Sequence, residues 1–437
     1  MVVLLGIYYL APFLRWDRGI HAPDQAILID MAHQRAYFFF IEIWPQEVFY
    51  LTGILVLAAL GLFFVTSLFG RVWCGYACPQ TVWTDLFVWV ERIVQGDRVK
   101  RQKLHNAKWG LEKIGKMALT HFLWLVIGLF TGGAWVFYFN DAPTLLEHIF
   151  NLDVPWSVLG WVISLTFSTY LMAGFARDQV CKFMCPYARF QSAMFDKNTL
   201  IIGYDEERGE TRGKHKKGES WEGRGHCIDC TACVQVCPVG IDIRDGLQME
   251  CIACGLCIDA CDNVMEKLEL PKNLIRYDTP FNQESRTLER PEKTRLLRTR
   301  TVYYSVLLFL VGAIIVYGLV NRSTTEMHVL RDRNPLFVVL SDGTVRNGYD
   351  IKILNKTQAD QIYSLSVTGV PGLDVRVQGF GDVSASRLPV FADSVGHFRV
   401  FIAAPKPAQK RNPLVFTLID STANDGDHYE SLFVSGN

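Results

Sequence analysis

The chain has 437 residues, half of them hydrophobic, and its 44 Lys and Arg balance 44 Asp and Glu. That length and apolar content exceed what one ordinary soluble domain carries, and zero net charge leaves no global electrostatic footprint for nucleic acid. All twelve cysteines lie between Cys74 and Cys261, which argues against the disulfide framework of a small exported domain and for metal ligands or redox centres on a reducing side.

Five apolar stretches read as membrane helices: residues 1–14, 48–69, 117–139, 155–176 and 302–320. The last four approach the roughly 20 residues that cross a hydrocarbon core. The first is short and runs into Phe13-Leu14-Arg15-Trp16 with no small-residue cleavage site, so it is expected to be the end of a helix that begins upstream, not a signal peptide. Arg92, Arg98, Lys100, Arg101, Lys103, Lys108, Lys113 and Lys116 crowd the loop after the second stretch. The loop after the third holds Asp141, Glu147 and Asp153 and no Lys or Arg. The positive-inside rule makes the former cytoplasmic and the latter external. Alternation then puts the amino terminus, residues 177–301 and all twelve cysteines on the cytoplasmic side, and everything after Asn321 outside. Arg295, Arg298 and Arg300, just before the last stretch, agree.

Two related elements sit at the membrane edge. RVWCGYACPQTVW holds Cys74 and Cys78; DQVCKFMCPYARF, about a hundred residues later, holds Cys181 and Cys185. The second Cys of each precedes a proline, which fits the first position of a helix and not its interior. Each pair is therefore expected in a turn that feeds a new helix at Pro79 or Pro186. Cys78 and Cys185 would sit at helix N-termini, where the partial positive charge favours thiolate. Both elements follow a span that runs inward, so they read as a parallel internal repeat able to bring four sulfurs together. Soft thiolates suit Cu(I) or an iron–sulfur centre; buried free cysteines are the plainer alternative. Copper, a further cluster or disulfides all remain compatible with the two pairs at this point. Met184 could add a thioether, although packing is its commoner role. His121 and His148 lack partners at ligand spacing, and no Cys-x-x-Cys-His marks a heme.

Next comes the basic run KHKK at 214–217, a solvated loop. Then Cys227-x-x-Cys230-x-x-Cys233-x-x-x-Cys237-Pro238 is followed by Cys251-x-x-Cys254-x-x-Cys257-x-x-x-Cys261. This is two-cluster ferredoxin spacing, in which the fourth Cys of each run crosses to the other cluster. It assigns Cys227, Cys230, Cys233 and Cys261 to one [4Fe–4S] cluster and Cys237, Cys251, Cys254 and Cys257 to the other. Zinc knuckles do not need this repeated grammar. Asp262 stands where a proline usually follows the second run.

After Asn334 short alternating segments with turn punctuation follow, at 336–340, 349–355, 361–367, 374–380, 397–404, 414–420 and 429–434. About seven strands in this length point to an immunoglobulin-like sandwich. Without cysteine or clustered His and Met, the tail suits docking better than metal binding. The chain thus divides into membrane helices one to four with both Cys-x-x-x-Cys-Pro elements (1–204), an α+β two-cluster ferredoxin-like domain (205–300), a fifth transmembrane helix (301–320) and an all-β sandwich (321–437).

WPQ at 44–46, GRVWCGYACPQTVW at 70–83, ERIVQGDR at 91–98, the Cys181 and Cys185 element, the paired cluster runs and the tail together resemble the FixG/RdxA/CcoG family of cytochrome oxidase accessory proteins, over nearly the whole chain. The resemblance implies a bacterial inner-membrane iron–sulfur protein that reduces Cu(II) to Cu(I) on the cytoplasmic side for assembly of cbb-type heme–copper oxidases. It implies Cys74, Cys78, Cys181 and Cys185 as the copper or redox site, a copper-transporting ATPase and oxidase assembly factors as partners, and a periplasmic tail. The family normally has a longer cytoplasmic amino terminus than this chain. Two other readings stand beside it. One is a quinol-linked electron-transfer subunit, against which no Ser-Gly-Ala-Thr flavin attachment signal is present. The other is a non-catalytic assembly scaffold. No motif names the electron donor.

Overall fold

The computed structural model describes every residue except 20–21, 216–219, 292–294, 379–384, 386, 406, 408, 421–425 and 437. Half of the KHKK run and the end of the strand expected at 374–380 therefore lie outside the described residues. The chain forms two compact units, residues 1–15 with 25–316, and residues 16–24 with 317–437.

In the first unit four helices are long and apolar enough to cross a membrane: Pro45–Phe69, Leu111–Val136, Trp156–Met184 and Thr299–Val320. The helix Val2–Leu10, extended by one 3-10 turn at Ala11–Phe13, is shorter. Leu111–Val136 packs against Trp156–Thr169 through Gly128 and Gly132; a Cβ at Gly132 would stand 2.8 Å from the Val162 carbonyl oxygen. Small residues let membrane helices approach this closely, which replaces the hydrophobic drive that lipid removes. Thr131 adds a polar tie, its hydroxyl accepting from Trp83 Nε1 at 2.9 Å.

The expected turns at the two Cys pairs are π-helical, at Trp73–Ala77 and Val180–Met184. In each, the amide of the second Cys reaches five residues back, Cys78 N to Trp73 O and Cys185 N to Val180 O, both at 2.8 Å. Helices Pro79–Gln95 and Pro186–Ala193 then start at the prolines, with Cys78 and Cys185 as their N-caps. The fourth span does not stop near Ala176. It continues through a π-helical stretch, Tyr170–Ala176, and a non-helical step at Arg177 (φ 38°) to the second Cys element, and the next helix starts at Pro186.

The cysteine-rich region is tied by strand Ile201–Tyr204, paired antiparallel with Ile275–Asp278, and by helices Ala232–Val236 and Leu256–Lys267. Ile202, Met265, Leu274 and Ile275 pack there with Cys227 and Cys233. A three-stranded antiparallel sheet, Ile27–Asp30, Arg35–Phe38 and Ile41–Ile43, was not foreseen.

The second unit contains two antiparallel sheets. One runs Asp374–Gln378, Ser394–Ala404, Val345–Asn355, Thr325–Arg331, with Val338–Val339 beside Val345–Asn355. The other runs Leu388–Val390, Gln361–Thr368, Arg411–Asp420, Gly426–Val434. Tyr349, Ile351 and Val400 from one and Tyr363, Phe416 and Phe433 from the other share one core. Strands Thr325–Arg331 and Leu388–Val390 were missed from sequence, and of residues 336–340 only Val338–Val339 pairs.

Candidate redox site

Two small recesses lie in the cysteine-rich region. One is lined by Cys227, Cys230, Cys233 and Cys261; the other by Cys237, Cys251, Cys254 and Cys257, with Cys233 on the wall of both. These linings group the cysteines in the sets that the spacing assigns, apart from the shared Cys233. Helix Leu256–Lys267 starts beside Cys257 and carries Cys261 one turn onward to the opposite recess. All twelve cysteines are free of disulfides. Among the described residues no three His, Cys, Asp or Glu side chains are set to hold one metal ion. A cubane suits such a spread, since each thiolate binds a different iron. Four thiols facing one small, apolar recess fit a [4Fe–4S] cluster on each side, and the protein carries two.

Burial pushes the Cys257 and Cys261 thiols up to about 12 and Cys254 up to about 11, with neighbouring cysteines adding to the rise. Alone these groups stay protonated, so loading a cluster must release their protons. A guanidinium stands beside each recess. Arg244, held by Asp242 and Asp229 at 2.6 Å each, serves the first. Arg71, 5% exposed, serves the second, with Nη1 donating to the Cys251 carbonyl at 3.3 Å. Asp262, the departure from the usual proline, accepts from the Asn273 amide at 2.8 Å and closes the loop after Leu256–Lys267.

The membrane-edge thiols gather against the second recess. A Cβ on Gly75 would meet the Ile252 and Ala253 carbonyl oxygens at 2.8 and 3.0 Å, so the first π-turn rests on the Cys251–Cys254 loop. Tyr76 donates to the Cys254 carbonyl at 3.1 Å and shares a 2.8 Å bond with the Tyr277 hydroxyl. The Tyr277 hydroxyl also lies 2.9 Å from the Ala253 carbonyl oxygen, so the two phenol protons are shared among three contacts. From the second element, Lys182 Nζ donates to the Val239 carbonyl at 3.1 Å, two residues past Cys237. Glu91 joins the halves, bound to Arg177 at 2.6 Å and to Arg101.

The two Cys elements touch, with Arg71 Nη2 donating to the Ala188 carbonyl on the helix that Cys185 caps. Burial pushes the Cys74 thiol up to about 12, with Cys78 adding to the rise and Arg71 opposing it. Cys74 donates to Gln191 Oε1 at 3.3 Å. Neither Cys78 nor Cys185 spends its side chain on capping its helix. Met184 is 60% exposed. His121 is engaged with the Tyr170 hydroxyl at 3.1 Å, and His148 lies 3.7 Å from Asp153. Arg71, Gly75, Tyr76, Tyr277 and Gln191 carry no ligand-type spacing, so sequence reading passed over them.

Comparison with known proteins agrees with this layout. The 4Fe-4S dicluster domain profile matches residues 176–280, a 4Fe-4S binding domain profile matches 51–105, and the profile of the Ig-like fold at the C-terminus of FixG matches 315–436. The chain is 46% identical to nitrogen fixation protein FixG of Rhizobium meliloti over 99% of this chain and 89% of that protein. It is 47% identical to protein RdxA of Cereibacter sphaeroides over 93% and 86%. A crystal structure of a FixG-related protein from Vibrio parahaemolyticus aligns at 26% identity and a TM-score of 0.23, over 26% of this chain and 99% of that one.

Proposed function

The chain belongs to the FixG/RdxA family of membrane iron–sulfur electron-transfer proteins, and from that premise we propose that it reduces Cu(II) to Cu(I) at Cys74, Cys78, Cys181 and Cys185. The observation that carries this reading is the seating of both Cys-x-x-x-Cys elements on the second recess, Gly75 on the Ile252–Ala253 backbone and Lys182 on Val239. The bound clusters supply one-electron storage and transfer. Cys227, Cys230, Cys233 and Cys261 hold the outer one, with Cys230 exposed to a donor; Cys237, Cys251, Cys254 and Cys257 hold the inner one. Cu(II) prefers nitrogen and oxygen ligands and Cu(I) prefers thiolates, so a thiol site drives the reduction. Two thiols suffice for a linear Cu(I). Each Cu(II) takes one electron, and the thiols lose their protons to solvent as the metal binds.

In this reading the protein lies in the bacterial inner membrane with five spans, clusters and thiols cytoplasmic, and an immunoglobulin-like periplasmic tail. It hands Cu(I) to a copper-transporting ATPase and oxidase assembly factors. The contact of Arg98, from the basic loop, with the carbonyls of Val234 and Gln235 supports a common side for that loop and the clusters. A reporter active only outside the cytoplasm is expected to be active after Asn437 and silent after Asp205; the reverse pattern overturns the orientation. Replacing Cys230 or Cys254 by Ser is expected to remove one cubane each, about four of eight irons. Retention of all iron in both variants, by metal analysis and EPR, contradicts the ligand sets.

A second reading, quinol-linked electron transfer, draws on an open cavity of about 750 Å³ lined by Asp85, Arg92, Arg177, Cys181 and Cys237. Cu(II) reduction that persists in a variant lacking all four membrane-edge thiols favours it.

A further inference from the structure

Arg177 stands where the fourth span turns into the second Cys element, with φ 38° and ψ −112°. Residues that carry a Cβ rarely adopt that conformation. Its guanidinium is held on several sides. Nη2 and Nη1 donate to Glu91 Oε1 and Oε2 at 2.6 and 3.4 Å, and Nε donates to the Gly174 carbonyl at 2.7 Å. The Trp124 ring centroid lies 5.5 Å from its central carbon. The Arg177 carbonyl accepts from Gln80 Nε2 at 3.1 Å. Glu91, 6% exposed, and Gln80 both lie on helix Pro79–Gln95, which leads out of the first Cys element. A strained residue persists only where its surroundings over-determine it, and here the helix that follows the first element supplies much of that hold.

We propose that Arg177 is the positioning residue that sets the second Cys element against the first. Relaxing residue 177 to a helical φ would rotate the chain beyond it by about 100° around one N–Cα bond. That turn would carry Cys181 and Cys185 with it. It would also pull Lys182 from the Val239 carbonyl and the Ala188 carbonyl from Arg71. The ion pair opposes the relaxation, because a buried carboxylate that loses a partner is costly. The helix after the first element thus dictates the direction that the second one takes. For the copper step this inference rests on the reading of the four membrane-edge thiols as the reducing site.

The test compares Arg177→Gly with Arg177→Ala in the full-length, cluster-loaded protein. Both lose every side-chain contact, but only glycine adopts the observed backbone without steric cost. A residue that merely fills a salt bridge predicts the reverse order, since glycine weakens a helical segment more than alanine does. Alkylation of Cys181 by iodoacetamide, read by mass spectrometry without copper, is expected to be slowest in the wild type and fastest in Arg177→Ala. Cu(II) reduction should fall in the same order, with Arg177→Gly retaining about tenfold more rate than Arg177→Ala. Glu91→Gln, which leaves residue 177 as it is, should also speed the alkylation. Should Arg177→Ala alone fail to load iron, the rescue by glycine is itself the expected order. Alkylation at one rate in all four proteins, or alanine serving as well as glycine, overturns the inference. Alkylation in the expected order with Cu(II) reduction unchanged throughout overturns the copper reading instead.

Discussion

Replacing Cys78 and Cys185 together by Ser is expected to abolish Cu(II) reduction while both cubanes stay in place and remain reducible. These cysteines cap helices Pro79–Gln95 and Pro186–Ala193 without spending their side chains on the cap, and neither lines a cluster recess. Loss of a merely supporting group around a metal site costs about 10- to 100-fold, so loss of both principal ligands should exceed a hundredfold. Cys74→Ser and Cys181→Ser, within the π-helical turns, should weaken the reaction less. The measurement is formation of the chelated Cu(I) complex, with a chemical reductant supplying the clusters. Full activity in the double variant moves the chemistry elsewhere.

Gly75→Val is expected to lower the same rate about a hundredfold without removing a ligand of either cluster. The added Cβ would stand 2.8 Å from a backbone oxygen of the inner cluster loop, and backbone cannot swing aside as a side-chain tip can. The π-turn carrying Cys74 must therefore separate from the loop carrying Cys251 and Cys254. A displacement near 1 Å in a positioned reaction can cost about a hundredfold. Iron content should remain at wild type, because all eight cluster cysteines are untouched. A wild-type rate with full iron would show that this contact has no part in electron delivery.

What could be read in the sequence is what chain-local chemistry encodes. The cluster cysteines announce themselves because their spacing is set by short loops around one centre, and the crossover of Cys237 and Cys261 follows from the same grammar. Pro79 and Pro186 marked the helix starts because a proline lacks the amide a helix interior needs. The long-range contacts were not readable. Nothing in the spacing of Gly75, Arg71 or Tyr76 says that the first motif lands on residues 251–254, almost two hundred positions away. The π-turns were missed because no residue type marks them. Strand Thr325–Arg331 was missed because Glu326 and His328 occupy its outer face and Arg331 ends it, although Thr325, Met327 and Val329 alternate inward. Asp262 was seen as a departure, but its bond to the Asn273 amide depends on a loop that the spacing does not describe.

The central claim is that electrons held by the two clusters reach Cu(II) through the four membrane-edge thiols. It is tested most directly by a single turnover. Protein reduced with dithionite, freed of excess reductant and mixed anaerobically with Cu(II), is followed for cluster reoxidation and chelated Cu(I) together. The expected result is about two Cu(I) per chain, one electron from each cubane, appearing as the clusters reoxidise, and neither change at a comparable rate in the variant with Ser at positions 74, 78, 181 and 185. Clusters that stay reduced in the wild type, or that reoxidise equally fast in the four-Ser variant, would contradict it.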